Sequence, residues 1–137
     1  VAHVPHVKAY PIDGTSPTGA QDYEDELCRS VPKFIDDLPA LDLVLLGMGP
    51  DGHTASLFPD TDALECKDQL VVLNDVPQLN TRRITLTYLT LECAERRWFL
   101  VRGGDKAAAF ARVCRGELPA GHLSSGEWFV DPSVTAM

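Results

Sequence analysis

Two side chains stand at a spacing that suits proton transfer. Asp51 and His53 lie two residues apart in Gly47-Met48-Gly49-Pro50-Asp51-Gly52-His53, and a tight turn can aim both at one cavity. Imidazole titrates near neutrality, so it can take a proton from water and return it to a leaving group. Three glycines in six positions let the backbone approach a ligand closely. The same glycines spell Gly47-x-Gly49-x-x-Gly52, the string of a dinucleotide fingerprint. That reading is rejected: Asp51 would put a carboxylate where a pyrophosphate belongs, and Pro59 stops the following segment early. Taken singly, His53 also suits a core or capping histidine. The neighbouring acid and the loop's position favour chemistry.

The elements around the loop explain its position. Leu41 to Leu46 is a nearly continuous apolar strand, of the kind buried on both faces of a parallel sheet. Ligands in open α/β sheets collect beyond the carboxyl ends of the strands, where the glycine loop follows. His6 to Ile12, Gln69 to Asn74, Arg83 to Tyr88, Arg97 to Arg102 and Trp128 to Val130 are predicted strands. Ala20, Tyr23, Leu27, Val31 and Phe34 fall on one helical stripe within 18–37, with a kink or break at Pro32. Short helical pieces are expected over 53–58 and 89–94, a longer helix over 105–115 capped by Gly116, and the start of a last one after Asp131-Pro132. Strands alternating with helices predict one α/β domain, a Rossmann-like layered fold with a mainly parallel sheet.

Composition narrows the function classes. The 137 residues carry 12 Lys+Arg against 20 Asp+Glu, a formal net charge of −8. Such a chain is a poor nucleic-acid binder, because phosphate neutralisation supplies most non-specific affinity. Arg82-Arg83 and Arg96-Arg97 are too short for a nucleic-acid stripe, yet either pair could serve one small anion. No apolar stretch is long enough to cross a membrane, and the start, Val1-Ala2-His3-Val4-Pro5, does not read as a secretory signal. It lacks an initiator Met, as a piece of something longer would. Cys28, Cys66, Cys93 and Cys114 form no Cys-x-x-Cys, and read as buried, reduced thiols of a cytoplasmic protein. His3 and His6, with no acid or thiol beside them, read as surface residues. No metal or cofactor is expected.

The segment Gly47 to Pro59 resembles the signature of the 6-phosphogluconolactonases. Further likenesses follow in order: Ala20-x-x-Tyr23-Glu24-x-x-Leu27, Arg83-Ile84-Thr85-Leu86-Thr87, Gly103-x-x-Lys106-Ala107, Pro119-Ala120 and Trp128-Phe129-x-Asp131. The resemblance implies a metal-free hydrolase of 6-phospho-D-glucono-1,5-lactone, with His53 as general base and Asp51 shaping the loop or orienting it. It puts Arg83 and Lys106 at the mouth of the site as cationic partners of the phosphate, with Arg82 the alternative arginine. Backbone N–H groups of the loop, through Gly47, Gly49 and Gly52, would stabilise the developing oxyanion. Leu79-Asn80-Thr81-Arg82 departs from the family's Pro-Pro pattern, which leaves open which arginine points inward. Family chains are about twice as long, so residues 1–137 resemble a carboxyl-terminal portion. They lack a first strand, a Gly and Ser/Thr phosphate loop and a Ser-Asp-Glu-Arg segment. Alone, the chain is expected to keep His53 but to bind phosphate poorly. Oligomeric state is left open. Two alternatives share the fold. Aminosugar-phosphate deaminases place an extra acid after the loop, where this chain has Thr54-Ala55-Ser56-Leu57-Phe58-Pro59. A non-catalytic sugar-phosphate sensor would need no base.

Overall fold

The computed structural model describes residues 6–135. Its centre is a three-stranded parallel sheet of β3 (Val44–Leu46), β6 (Arg97–Val101) and β7 (Glu127–Val130), in the order β3-β6-β7. Leu46 lies opposite Phe99, and Phe99 opposite Trp128. Two parallel neighbours need crossovers. The first carries the antiparallel ribbon of β4 (Val71–Val76) and β5 (Thr81–Leu86) and the short helix α2 (Tyr88–Cys93). The second carries α3 (Ala107–Val113), which Gly116 closes at φ +70°. The mixed α/β architecture expected from the sequence is therefore present, with the ribbon as a separate antiparallel unit.

Both crossovers pack on one face of the sheet. Val44, Leu46, Phe99 and Val101 meet Leu57, Val72, Leu91, Ala109, Val113 and Val134 there in a single buried cluster. Phe99 stacks on Trp128 with centroids 3.8 Å apart, and Phe110 meets the same indole edge-on. α1 (Gly19–Ser30) covers the ribbon instead, setting Leu27 and Tyr23 against Leu70, Val71 and Ile84. Glu24, on this helix, accepts the backbone N–H groups of Leu70 and Val71 at 2.7 and 3.0 Å and so fixes where β4 begins.

Several expectations are corrected. Residues 6–12 form no strand; Val7, Tyr10 and Ile12 are exposed, and no described strand lies beside them to complete a ladder. The α1 helix stops at Ser30 because Val31 precedes proline and is driven to an extended conformation (φ −81°, ψ 115°). Beyond it, β1 (Phe34–Ile35) and β2 (Leu38–Pro39) make a small hairpin, with Asp36 and Asp37 both at positive φ in the two-residue turn. Phe34 is accordingly exposed. Residues 53–58 are not helical but form a turn closed by the Thr54–Leu57 bridge. The cysteines are free but not buried: Cys28 and Cys114 are exposed, Cys66 and Cys93 half-buried. Cys28 follows Leu27 off the packed stripe of α1, and Cys114 lies just beyond the end of α3. His6 is exposed, as expected, whereas His3 lies outside the described residues.

Candidate active site

Because the sheet is parallel, the segments that leave β3, β6 and β7 emerge at one edge. They are the loop 47–53, the turn 102–106 and the turn 131–133. The first forms a knot of internal hydrogen bonds. Gly49 donates to the His53 carbonyl at 2.9 Å, and Gly52 to the Gly49 carbonyl at 3.0 Å. Thr54 Oγ1 donates back to the Gly47 carbonyl at 2.9 Å. Gly52 sits at φ +78°, where a Cβ would also strike the Leu118 side chain. At Gly49 a Cβ would fall on the His53 imidazole and against the Asp51 carboxylate. The absent side chain is thus the space the pair occupies. Gly47 has no such crowding.

His53 Nδ1 and Asp51 Oδ1 are 2.6 Å apart. The carboxylate accepts, so Nδ1 carries the proton and Nε2 is left as the basic nitrogen. The same carboxylate oxygen accepts the His53 backbone N–H at 3.2 Å. Phe58, itself buried, stacks against the imidazole with centroids 4.1 Å apart and planes 28° from parallel. The His53 side chain keeps 26% of its surface and Asp51 39%. His53, Gly47 and Gly49 line an open cleft of about 370 Å³ with Leu45, Leu86 and Leu91, along the edge of β3. The ring is therefore held from below and reachable from above.

Register distinguishes the two arginines of β5. Arg83 lies opposite Asn74 and Arg82 opposite Asp75. Opposed residues share a face, so Arg83 shares that of buried Asn74 and Thr85, which holds the 54–61 turn. Arg82 points the other way and pairs with Asp75 at 3.1 Å, both well exposed. Lys106 ends the turn after β6, half-buried, with its N–H on the Gly103 carbonyl. Neither Arg83 nor Lys106 is among the residues lining the His53 cleft.

The N–H groups of Gly49, Gly52 and His53 have partners within the loop. Arg97 is no anion site. Its buried guanidinium donates to the carbonyls of Leu91, Glu92, Ala94 and Ser125 at 2.8–3.0 Å, and also to the Ser125 hydroxyl. Arg102, unremarked in the sequence, stands at the carboxyl end of β6 and helps, after the Ser133 hydrogen bonds, to hold the Asp131 carboxyl below its ordinary range. Tyr88 donates to the Pro119 carbonyl at 2.8 Å, and burial pushes its phenol up. No helix begins after the glycine loop, so a pyrophosphate would find no helix terminus there. Among the described residues no three His, Cys, Asp or Glu side chains gather as metal ligands, and no helix is long and apolar enough to cross a membrane.

A parallel sheet with an acid–imidazole pair at its carboxyl edge defines an α/β protein whose paired side chains stand at the strand ends. Residues 1–130 match the family described as glucosamine-6-phosphate isomerases/6-phosphogluconolactonase, and the chain belongs to that family. It is 41% identical over 110 residues to the 6-phosphogluconolactonase of Chlamydia trachomatis, covering 80% of this chain and 41% of that protein. Against human 6-phosphogluconolactonase the identity is 35% over 127 residues, covering 86% and 48%. The crystal structure of 6-phosphogluconolactonase from Leishmania guyanensis superposes with a TM-score of 0.73 at 30% identity, over 85% of this chain and 51% of that one. The chain thus spans about half the length of the relatives it matches.

Proposed function

We propose that these residues form the histidine-bearing, carboxyl-terminal portion of a single lactonase domain that hydrolyses 6-phospho-D-glucono-1,5-lactone to 6-phospho-D-gluconate. The observation that carries the reading is the His53–Asp51 pair, 2.6 Å apart, with its ring facing an open cleft. Nε2 takes a proton from a water molecule, and the hydroxide attacks the lactone carbonyl. Asp51 stabilises the imidazolium that forms. As the tetrahedral intermediate collapses, the imidazolium returns its proton to the departing ring oxygen, and the ring opens. The chain's own groups complete this cycle, with no metal or cofactor in it. A sensor that only binds sugar phosphate would have no use for the paired base. A deaminase would need a further acid, and Thr54 to Pro59 offers none.

Phosphate recognition falls to Arg83 and Lys106. The ribbon register favours Arg83 over Arg82, which is occupied by Asp75 on the opposite face. The guanidinium supplies a fork and the ammonium a point charge. The substrate is a small soluble sugar phosphate, and the cytoplasm is the compartment that suits it. Neither nucleic acid nor a membrane enters the reaction.

The test is lactone opening by the longer protein that contains this chain, corrected for spontaneous hydrolysis. His53→Ala is expected to lower the rate by roughly 10²-fold or more with the fold intact. A folded variant that hydrolyses at the original rate overturns the assignment.

A further inference from the structure

Asn74 is 1% exposed in the middle of β4 and is hydrogen-bonded to the turn that follows His53. Its Nδ2 donates to the Ser56 carbonyl at 2.9 Å and to Thr61 Oγ1 at 3.0 Å. Thr61 Oγ1 in turn donates to the Phe58 carbonyl at 2.8 Å. Across the ribbon, Thr85 Oγ1 accepts the Ser56 N–H at 3.0 Å. Both backbone groups of Ser56 are thereby fixed by side chains of the ribbon. The residue before it, Ala55, is held at φ +50°, a conformation that L residues rarely adopt. Between the two tethers of Asn74 lies Phe58, whose ring supports His53.

The amide can face only one way. Ser56 O is an acceptor, and the Thr61 hydroxyl has already committed its proton to the Phe58 carbonyl, so both positions demand the NH2 side of Asn74. Its Oδ1 is then buried without a hydrogen-bond partner. A buried orphan acceptor is costly, and an apolar side chain of similar size would avoid it. What the asparagine supplies in exchange is a pair of donors aimed at the turn under the histidine.

We infer that Asn74 is a positioning residue for His53, setting the imidazole through Ser56, Thr61 and the stacked ring of Phe58. The inference rests on the reading of His53 as the general base, but its geometry can be tested without substrate. A ring stacked on the imidazole shields the carbon-bound protons of His53. In the 137-residue chain, Phe58→Leu sets the resonance positions of an unstacked His53. Asn74→Leu is expected to move both His53 protons at least halfway to those positions, while those of His122 stay in place. Thr61→Val, which removes the second tether and leaves Asn74 intact, is expected to move them in the same direction, and it decides the matter if Asn74→Leu does not fold. Unchanged His53 resonances in a folded variant overturn the inference. In the longer protein, the same substitutions are expected to lower kcat for lactone opening severalfold with little change in KM. Shifted resonances with no lactonase activity in the unsubstituted protein would overturn the lactonase reading and leave the tether standing. Lactonase activity with unshifted resonances would do the reverse.

Discussion

The two faces of the central sheet are built from the same residue types and have opposite fates. On one, Phe99 is 1% exposed, clamped between the crossover helices and the Trp128 ring. On the other, Leu45, Leu100 and Phe129 are 60%, 51% and 49% exposed, Leu100 opposite Phe129 and Leu45 opposite Trp98. Alternation along each strand sends neighbours to opposite faces, so the continuous apolar run around Leu43–Leu46 is written for a sheet buried twice. Among the described residues both crossovers return on one side, and that side alone is packed. Apolar character in a strand therefore records the burial a sequence is adapted to, and the connections determine how much of it a given stretch of chain supplies.

Substitutions can break or sharpen this contrast. Phe99→Ala is expected to cost about 3–5 kcal/mol by urea denaturation, because it empties a site enclosed on all sides. A cost no larger than that of a surface change would erase the distinction. Leu100→Lys with Phe129→Lys, on the open face, is expected to change stability by less than about 1 kcal/mol. The same pair is expected to reduce binding of an anilinonaphthalene dye, and undiminished fluorescence would mean the dye reads some other surface. The ribbon repeats the contrast on a smaller scale, with Asn74 and Thr85 inward and Arg82 and Asp75 outward. Arg82→Gln is expected to shift stability by no more than about 0.5 kcal/mol, since a pair so exposed is well screened. A larger loss would place that ion pair in a less solvated setting than the outward face.

The legible parts of the fold were those with a strong local pattern. The runs at 41–46 and 97–102 contain β3 and β6, the alternation from Arg83 marks much of β5, and Gly116 closes α3. The glycine loop, Asp51 and His53 were visible because their spacing and residue types are unusual within a few positions. What remained hidden depends on distant partners. Residues 6–12 have strand-like composition, but a strand exists only against another, and none lies there among the described residues. The Asp36–Asp37 turn was signalled by two residues that tolerate a left-handed backbone, and the helical stripe continuing to Phe34 obscured it. The hydrogen bond from Ser56 to Thr85 spans 29 positions, and the Asn74 contact with Ser56 spans 18. No periodicity announces such pairs. The same is true of Arg97, whose charge suits an anion but whose guanidinium is taken up by backbone carbonyls.

The missing methyl at Gly49 makes one codon decisive. Alanine there would alter no charge, delete no donor and disturb no strand, yet its extra carbon would claim the volume of the His53 ring. A blind mutational survey should therefore score position 49 as intolerant as the histidine, and so reveal where the ring sits with nothing ever bound to it.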